Sequence, residues 1–354
     1  MEKNFQYKPT DFKSSALSPD FRSSVNHVLI IRPGALGDLI VTLPTLGAIR
    51  NHFCNAQIEI MGYTTYLELV KGRFYADAVS RFDQADITPL FVKNVQIPTS
   101  LIKRFGSMDL IIAFVSDNEH VLVNNLKATG ARRVSHYEPF PSESDQIHIV
   151  DHFLKFLNSV GIPYSDEIPK IFLQNDDILF GNDFMKDKIV NIKKYLVAIH
   201  PGSGSRQKCW PVDYFAELII WLKDKMGILP IIVAGPSDIE IVERLRLKVK
   251  DNFILADRLP LPGLAAIIKR CNLFVGNDSG ITHLAAAVGT RTIAIFGSTD
   301  SNIWGPRGEQ VRILCKKFHC NPCLPDTRRN CFSPVCLDTV TVDDVIREVR
   351  SILV

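Results

Sequence analysis

Short apolar runs rich in β-branched residues alternate with helical patterns along most of the chain, and several of the runs end in loops of glycine and small polar residues. His27-Val28-Leu29-Ile30-Ile31-Arg32 is the first, apolar at consecutive positions as a strand covered on both faces requires. It meets Pro33-Gly34-Ala35-Leu36-Gly37-Asp38, and a pattern over 39–52 then sets Leu39, Leu43, Leu46 and Ile49 along one helical face. A second strand over 58–61 follows. Strand, glycine turn, helix and strand make a βαβ unit, whose crossover leaves the strands parallel. A strand over 109–114 and a helix over 148–160, with Ile149, Phe153, Phe156, Leu157 and Val160 on one side, continue the series. The second half repeats it: strands over 195–199, 229–234, 253–255, 272–275 and 292–296, and helices over 211–225, 239–249, 261–270 and 281–288. The pattern predicts an α/β chain with two Rossmann-like domains.

At 354 residues, two cores are expected rather than one. The expected division is an extension over 1–26, a first domain over 27–175, a second over 190–340 and a closing helix over 341–354. Polar, helix-breaking sequence from 161 to about 191, with Pro163 and Pro169, places the linker. A net charge of +3 with no concentrated basic stripe argues against a nucleic-acid partner. No apolar run approaches the roughly 18 to 20 residues that span a bilayer, and the first 26 residues lack the pattern of a secretory signal. A cytoplasmic protein is expected.

Ligands of open parallel sheets bind at the carboxyl ends of the strands, and four loops there carry chemistry. In the first, Gly34 and Gly37 allow close backbone approach, and Asp38 is either a helix cap or a carboxylate aimed into the cleft. It is not G-x-G-x-x-G, so no nicotinamide cofactor is expected. The second, 200–211, holds Ser203, Gly204 and Ser205 before a helix, with Arg206 and Lys208 adding charge; this suits a pyrophosphate. In the third, Gly235-Pro236-Ser237-Asp238, the carboxylate is either a ribose contact or a cap. The fourth, Gly276-Asn277-Asp278-Ser279-Gly280, offers backbone donors at a helix N-terminus, with His283 one turn on.

These residues resemble glycosyltransferase family 9, the heptosyltransferases of lipopolysaccharide core assembly. The resemblance runs in order from Ile30-Ile31-Arg32 and Gly37-Asp38 through Gly130-Ala131-Arg132, His200-Pro201-Gly202, Lys208-Cys209-Trp210-Pro211 and Gly235 to Asp238. It ends in Asn277 to His283, Phe296 to Asp300 and Trp304-Gly305-Pro306. It implies the glycosyltransferase-B fold, two Rossmann-like domains facing a cleft, and an inverting, metal-independent transfer from a nucleotide sugar, ADP-heptose by default. Asp38 becomes the general base. Ser203, Gly204, Ser205, Lys208, Asp238, Asp278, Ser279, Gly280 and His283 become donor-binding, with Lys208 on the diphosphate and Asp238 on the ribose. Gly34, Gly37 and Arg132 become acceptor-binding. No cofactor is required. The acceptor is a lipopolysaccharide core or related glycan, and peripheral contact with the inner membrane face follows; Lys103, Arg104, Arg132 and Arg133 are candidates to meet an anionic glycolipid. A nucleotide-sugar epimerase or hydrolase of the same fold, and a non-catalytic nucleotide-sugar binder, are the competing classes.

Five cysteines crowd the C-terminal region as C-x₄-C-x₂-C-x₇-C-x₄-C from Cys315 to Cys336. Reduced structural thiols are the expected reading in the cytosol. The alternative is a structural metal held by Cys320, Cys323, Cys331 and Cys336.

Overall fold

The computed structural model describes residues 19–142, 145–188, 195–250, 252–323, 328, 330–332 and 334–354. Most of the expected extension, and the last few residues of the expected linker, lie outside them.

The first half runs α1 (Pro19–Ser23), β1 (His27–Ile31), α2 (Leu36–His52), β2 (Gln57–Gly62), α3 (Thr64–Leu67), β3 (Ala78–Arg81), α4 (Thr99–Phe105), β4 (Leu110–Ala113), α5 (Val121–Ala128) and β5 (Val134–His136). Its five strands are all parallel, in the order β3-β2-β1-β4-β5. Two helices follow, α6 (Ile149–Val160) and α7 (Asn175–Lys188). The second half runs β6 (Val197–His200), α8 (Val212–Met226), β7 (Ile231–Ala234), α9 (Ile239–Val249), β8 (Ile254–Asp257), α10 (Leu261–Arg270), β9 (Leu273–Asn277), α11 (Gly280–Ala287), β10 (Thr292–Ile295), α12 (Ser301–Trp304) and β11 (Val311–Leu314). Its six strands, also parallel, are ordered β11-β10-β9-β6-β7-β8. A terminal helix, Val342–Leu353, packs back on α8.

Helices cover both faces of each sheet, so the central strands are buried throughout: Val28 to Ile31 and Val197 to Ile199 are at most 1% exposed. The strand order reverses beside β1 in the first sheet and between β6 and β9 in the second. A crevice opens at such switch points, and the loops after β1, β6 and β9 line it. One apolar cluster joins the halves: α2 packs against both α6 and α11, so Leu39, Leu43, Phe153 and Leu284 share a core. At its mouth the first turns of α2 and α11 touch. A methyl group on Gly280 would lie 2.9 Å from the Gly37 backbone nitrogen and 2.9 Å from Leu36 Cβ.

The stretch read as helix-breaking carries α7, which the sequence pattern does not signal. Its apolar residues lack a helical period, and its hold is tertiary. Gly181 packs on Ala266 and Phe180 on Gly263, both in α10. Its amino end is tied to the first half by Arg73, whose guanidinium grips both Asp177 oxygens at 2.6 and 3.0 Å. Tyr75 donates to Lys170 O at 2.7 Å nearby. The strands the sequence reading misses, β3, β5 and β11, are the edges of their sheets or half-buried, and so lack a continuous apolar run. Among the described residues, no helix is long and apolar enough to cross a membrane.

Candidate active site

The loop after β1 is built around a buried arginine. Arg32, 3% exposed, donates Nε to Thr42 Oγ1 at 3.0 Å, Nη1 to Pro33 O at 3.1 Å and Nη2 to Asp38 O at 3.1 Å. It also lies 5.0 Å from the Phe153 ring centre. Burial pulls its pKa down to about 10, against the raising effect of Asp38, so it stays charged at neutral pH. Asp38 is the third residue of α2 and caps it, as one of the two readings of the sequence expects. One oxygen, Oδ2, accepts the Ala35 N–H at 2.8 Å and caps the helix; the other lies 3.6 Å from Arg32. The side chain is still 24% exposed. A Cβ on Gly34 would come within 2.7 Å of the Asp38 Cβ, which makes glycine necessary there.

Across the crevice, Ser203 donates to Asp278 O at 2.7 Å, and Lys208 Nζ sits 2.8 Å from Asp278 Oδ2. Thr299 donates to that same oxygen at 2.5 Å. Ser279 caps α11 by accepting the Thr282 N–H at 3.3 Å, which leaves the backbone groups of the next residues open toward an anion. His283 is buried at the 7% level, and burial pushes its pKa down to about 4, so it is neutral at physiological pH. Asp238 does not project freely. Its Oδ2 accepts the Gly235 N–H at 2.7 Å and lies 3.3 Å from His200 Nε2. Burial raises its carboxyl pKa, but the bonds from His200 and Gly235 outweigh that and hold it below the ordinary carboxylate value. A cleft of about 280 Å³ lies between this turn and the 202–213 loop, lined by Gly202, Ser203, Trp210, Ser237 and Asp238 among others.

Asp38, Gly34 and Gly37 therefore stand at the start of α2, with Ser203, Lys208, Asp238, Asp278, Ser279, Gly280 and His283 gathered opposite, while Gly204 and Ser205 lie in the loop after β6. Arg132 does not join them. It precedes β5, at the amino ends of the strands, where it lies 3.7 Å from Asp109, donates to Ser24 and covers the Phe21 ring. Arg133 covers the same ring, and Lys103 and Arg104 close α4 at the amino side of β4, with Arg104 paired to Glu59. In a parallel sheet that pole faces away from the crevice, so a motif's position before a strand, rather than after it, is what misleads. Arg32, His200 and Asn277 lie in the quoted motifs without a role assigned from sequence. Their signal is a polar residue at the buried end of an otherwise apolar strand.

The C-terminal cysteines divide. Cys320, Cys323, Cys331 and Cys336 are mutual neighbours, and Cys336 is pushed up to about 11, first by burial and then by the other three thiols. Cys315 stands apart, receiving a bond from Asn321. Cysteines 54, 209, 271 and all five of this group are free thiols. Among the described residues, no three or more His, Cys, Asp or Glu are arranged to hold a metal ion.

Comparison with known proteins agrees with this geometry. Residues 134–331 match the sequence model of glycosyltransferase family 9 (heptosyltransferase). Lipooligosaccharide heptosyltransferase 2 of Campylobacter jejuni is 26% identical over 342 residues, covering 92% of this chain and 98% of the relative. A family 9 glycosyl transferase structure from Veillonella parvula superposes with a TM-score of 0.77 at 19% identity, over 96% of this chain and 99% of that one. Escherichia coli ADP-heptose LPS heptosyltransferase II superposes with a TM-score of 0.72 at 15% identity, over 92% and 98% of the two chains. The two facing Rossmann-like sheets are thus the glycosyltransferase-B arrangement, and the chain belongs to glycosyltransferase family 9, the heptosyltransferases.

Proposed function

We propose that the enzyme moves a heptose from ADP-heptose to a lipopolysaccharide-core or related glycan hydroxyl, with inversion and without a catalytic metal. The observation that carries this reading is the meeting of α2 and α11 at Gly37 and Gly280, which sets a carboxylate on one helix start beside an anion site on the other. The acceptor hydroxyl oxygen attacks the anomeric carbon while its proton passes to Asp38. The bond from that carbon to the diphosphate breaks, and the nucleoside diphosphate leaves. Lys208 and the α11 N-terminus take up the charge that develops on it, the electrostatic part of the catalysis. Base catalysis at Asp38 contributes roughly 10²- to 10⁴-fold. Arg32 holds Asp38 in place through its backbone carbonyl and lies beside its carboxylate. The Escherichia coli structure named for ADP-heptose supports the choice of donor. Such acceptors are membrane-borne, so the enzyme works as a peripheral protein at the inner face of the cytoplasmic membrane.

The test is incubation with ADP-heptose, GDP-sugars and UDP-sugars, each with and without core oligosaccharide, in buffer containing EDTA. Acceptor-dependent release of ADP, undiminished by the chelator, is expected. Release or isomerisation that ignores the acceptor points instead to a hydrolase or epimerase, and dependence on added metal refutes the metal-free step.

A further inference from the structure

Behind the donor loops His200, Thr282 and Asn277, to which the transfer chemistry assigns nothing, link Asp238 and Ser279 into a string of buried polar groups. His200, the last residue of β6, is 4% exposed. Its Nε2 is 3.3 Å from Asp238 Oδ2 in the third loop, and its Nδ1 is 3.2 Å from Ser279 Oγ in the fourth. Ser279 Oγ is also 3.1 Å from Thr282 Oγ1, and Thr282 donates its own proton to Asn277 O. Asn277, wholly buried, pins the second loop: it accepts from Trp210 N at 2.9 Å and donates to Pro201 O at 2.8 Å and Gly202 O at 3.1 Å.

An ionised carboxylate only accepts, so His200 carries a hydrogen on Nε2 and points it at Asp238. At the other end Nδ1 and the Ser279 hydroxyl share a hydrogen bond. The Ser279 oxygen meanwhile accepts from Thr282 N. Ser279 Oγ is engaged inward by His200, by Thr282 N and by Thr282 Oγ1, and the α11 N–H groups are left to meet a phosphate. Gly202 fits the same construction: a Cβ there would run into the Asp238 carboxylate.

We infer that His200 is a positioning residue for the donor, locking the carboxylate turn of the third loop to the helix cap of the fourth so that ribose and diphosphate are received as one rigid template. The inference rests on the nucleotide-sugar reading above. Removing such a lock leaves two loops that each keep their own chemistry and lose their mutual register. The loss appears in the coupling between them, which a merely structural histidine would not carry.

The experiment measures ADP binding by calorimetry for the wild-type chain, Asp238→Asn, Ser279→Ala and the double variant, and then repeats the set with His200→Ala. Thermal melts run alongside to exclude unfolded material. In the His200 background, Asp238→Asn and Ser279→Ala are expected to weaken binding non-additively, the double variant falling short of the product of the singles by at least about threefold. With His200→Ala the effects become multiplicative, and affinity is already about tenfold down. His200→Gln, which keeps a donor to Asp238, and His200→Asn, which keeps a partner for Ser279, each break the coupling as well and stand in if the alanine variant fails to fold. Multiplicative effects in the wild-type background, or coupling that survives all three His200 variants, overturn the inference alone. A wild-type chain that binds none of ADP, GDP and UDP overturns the nucleotide-sugar reading and this inference with it.

Discussion

Replacing Gly280 by alanine adds one methyl group at the point where the halves meet. That methyl would sit 2.9 Å from the Gly37 backbone nitrogen, 2.9 Å from Leu36 Cβ and 3.2 Å from Leu36 Cγ. Ordinary contact begins near 3.4 Å, and the nearest obstacle is backbone, which cannot swing aside. The two helix starts must therefore part by roughly half an ångström. Overpacking of this kind costs roughly 1–3 kcal/mol, while alanine regains up to about 1 kcal/mol of helix propensity over glycine. Net stability changes little, and a chain of this size shifts its Tm by only a few degrees. Geometry suffers more, because the same contact sets the distance from Asp38 to the donor loops. A misplacement of this order lowers turnover roughly ten- to a hundredfold. The assay is acceptor-dependent ADP release at saturating donor, with Gly47→Ala as the control. Gly47 lies in α2, the helix that Gly280 meets, where an added methyl meets nothing closer than 3.4 Å. Wild-type turnover in Gly280→Ala, at wild-type Tm, would refute the claim that this contact gauges the site.

Asp38→Asn is expected to keep ADP affinity and lose about 10²- to 10⁴-fold in kcat; turnover within threefold of wild type removes Asp38 from the base role. His283 gives a pH signature. Its folded value near 4 lies below the ordinary 6.5, so between those values the unfolded chain holds a proton the folded one refuses. Stability is then lost as pH falls from about 6.5 toward 4, and His283→Asn should flatten that slope in urea melts, with His52, His148 and His152, also lowered by burial, contributing in the same direction; an unchanged slope counts against it. Asp177→Ala leaves Arg73 buried and unpaired, since the two side chains are only 10% and 7% exposed. A loss of roughly 3–5 kcal/mol is expected in equilibrium unfolding, and a loss under about 1 kcal/mol would show that α7 is held by its contacts with α10 instead.

The central strands and the helices that cover them were readable because burial on two faces demands uninterrupted β-branched runs, and a covering helix demands one apolar stripe. Helices α9 and α10 fall at the residues their periodicity predicts. The site loops were readable for a related reason: glycine, serine and a charged residue collect where strand meets helix. Position along the strand was harder to read. Arg132 stands in a familiar motif yet at the wrong pole of the sheet, and nothing local to the sequence distinguishes the two ends. α7 was invisible because its stability comes from Ala266, Gly263 and Arg73, residues distant in the chain. Asp238 was readable as cap or ligand, and only the approach of His200 from another strand reveals that its carboxylate is already engaged.

The core that α2 shares with α6 and α11 bears on how such enzymes diversify. A donor half borrowed from a relative would bring its own α11 to an α2 shaped for another, and the groove between them would be filled by the wrong side chains. Leu39 and Leu43 on one side and Leu284 on the other must change as a set. Shuffling of halves is therefore a poor route to new specificity in this chain. New donors and acceptors are more readily reached by altering the loops above that seam, which leave the helices beneath them untouched.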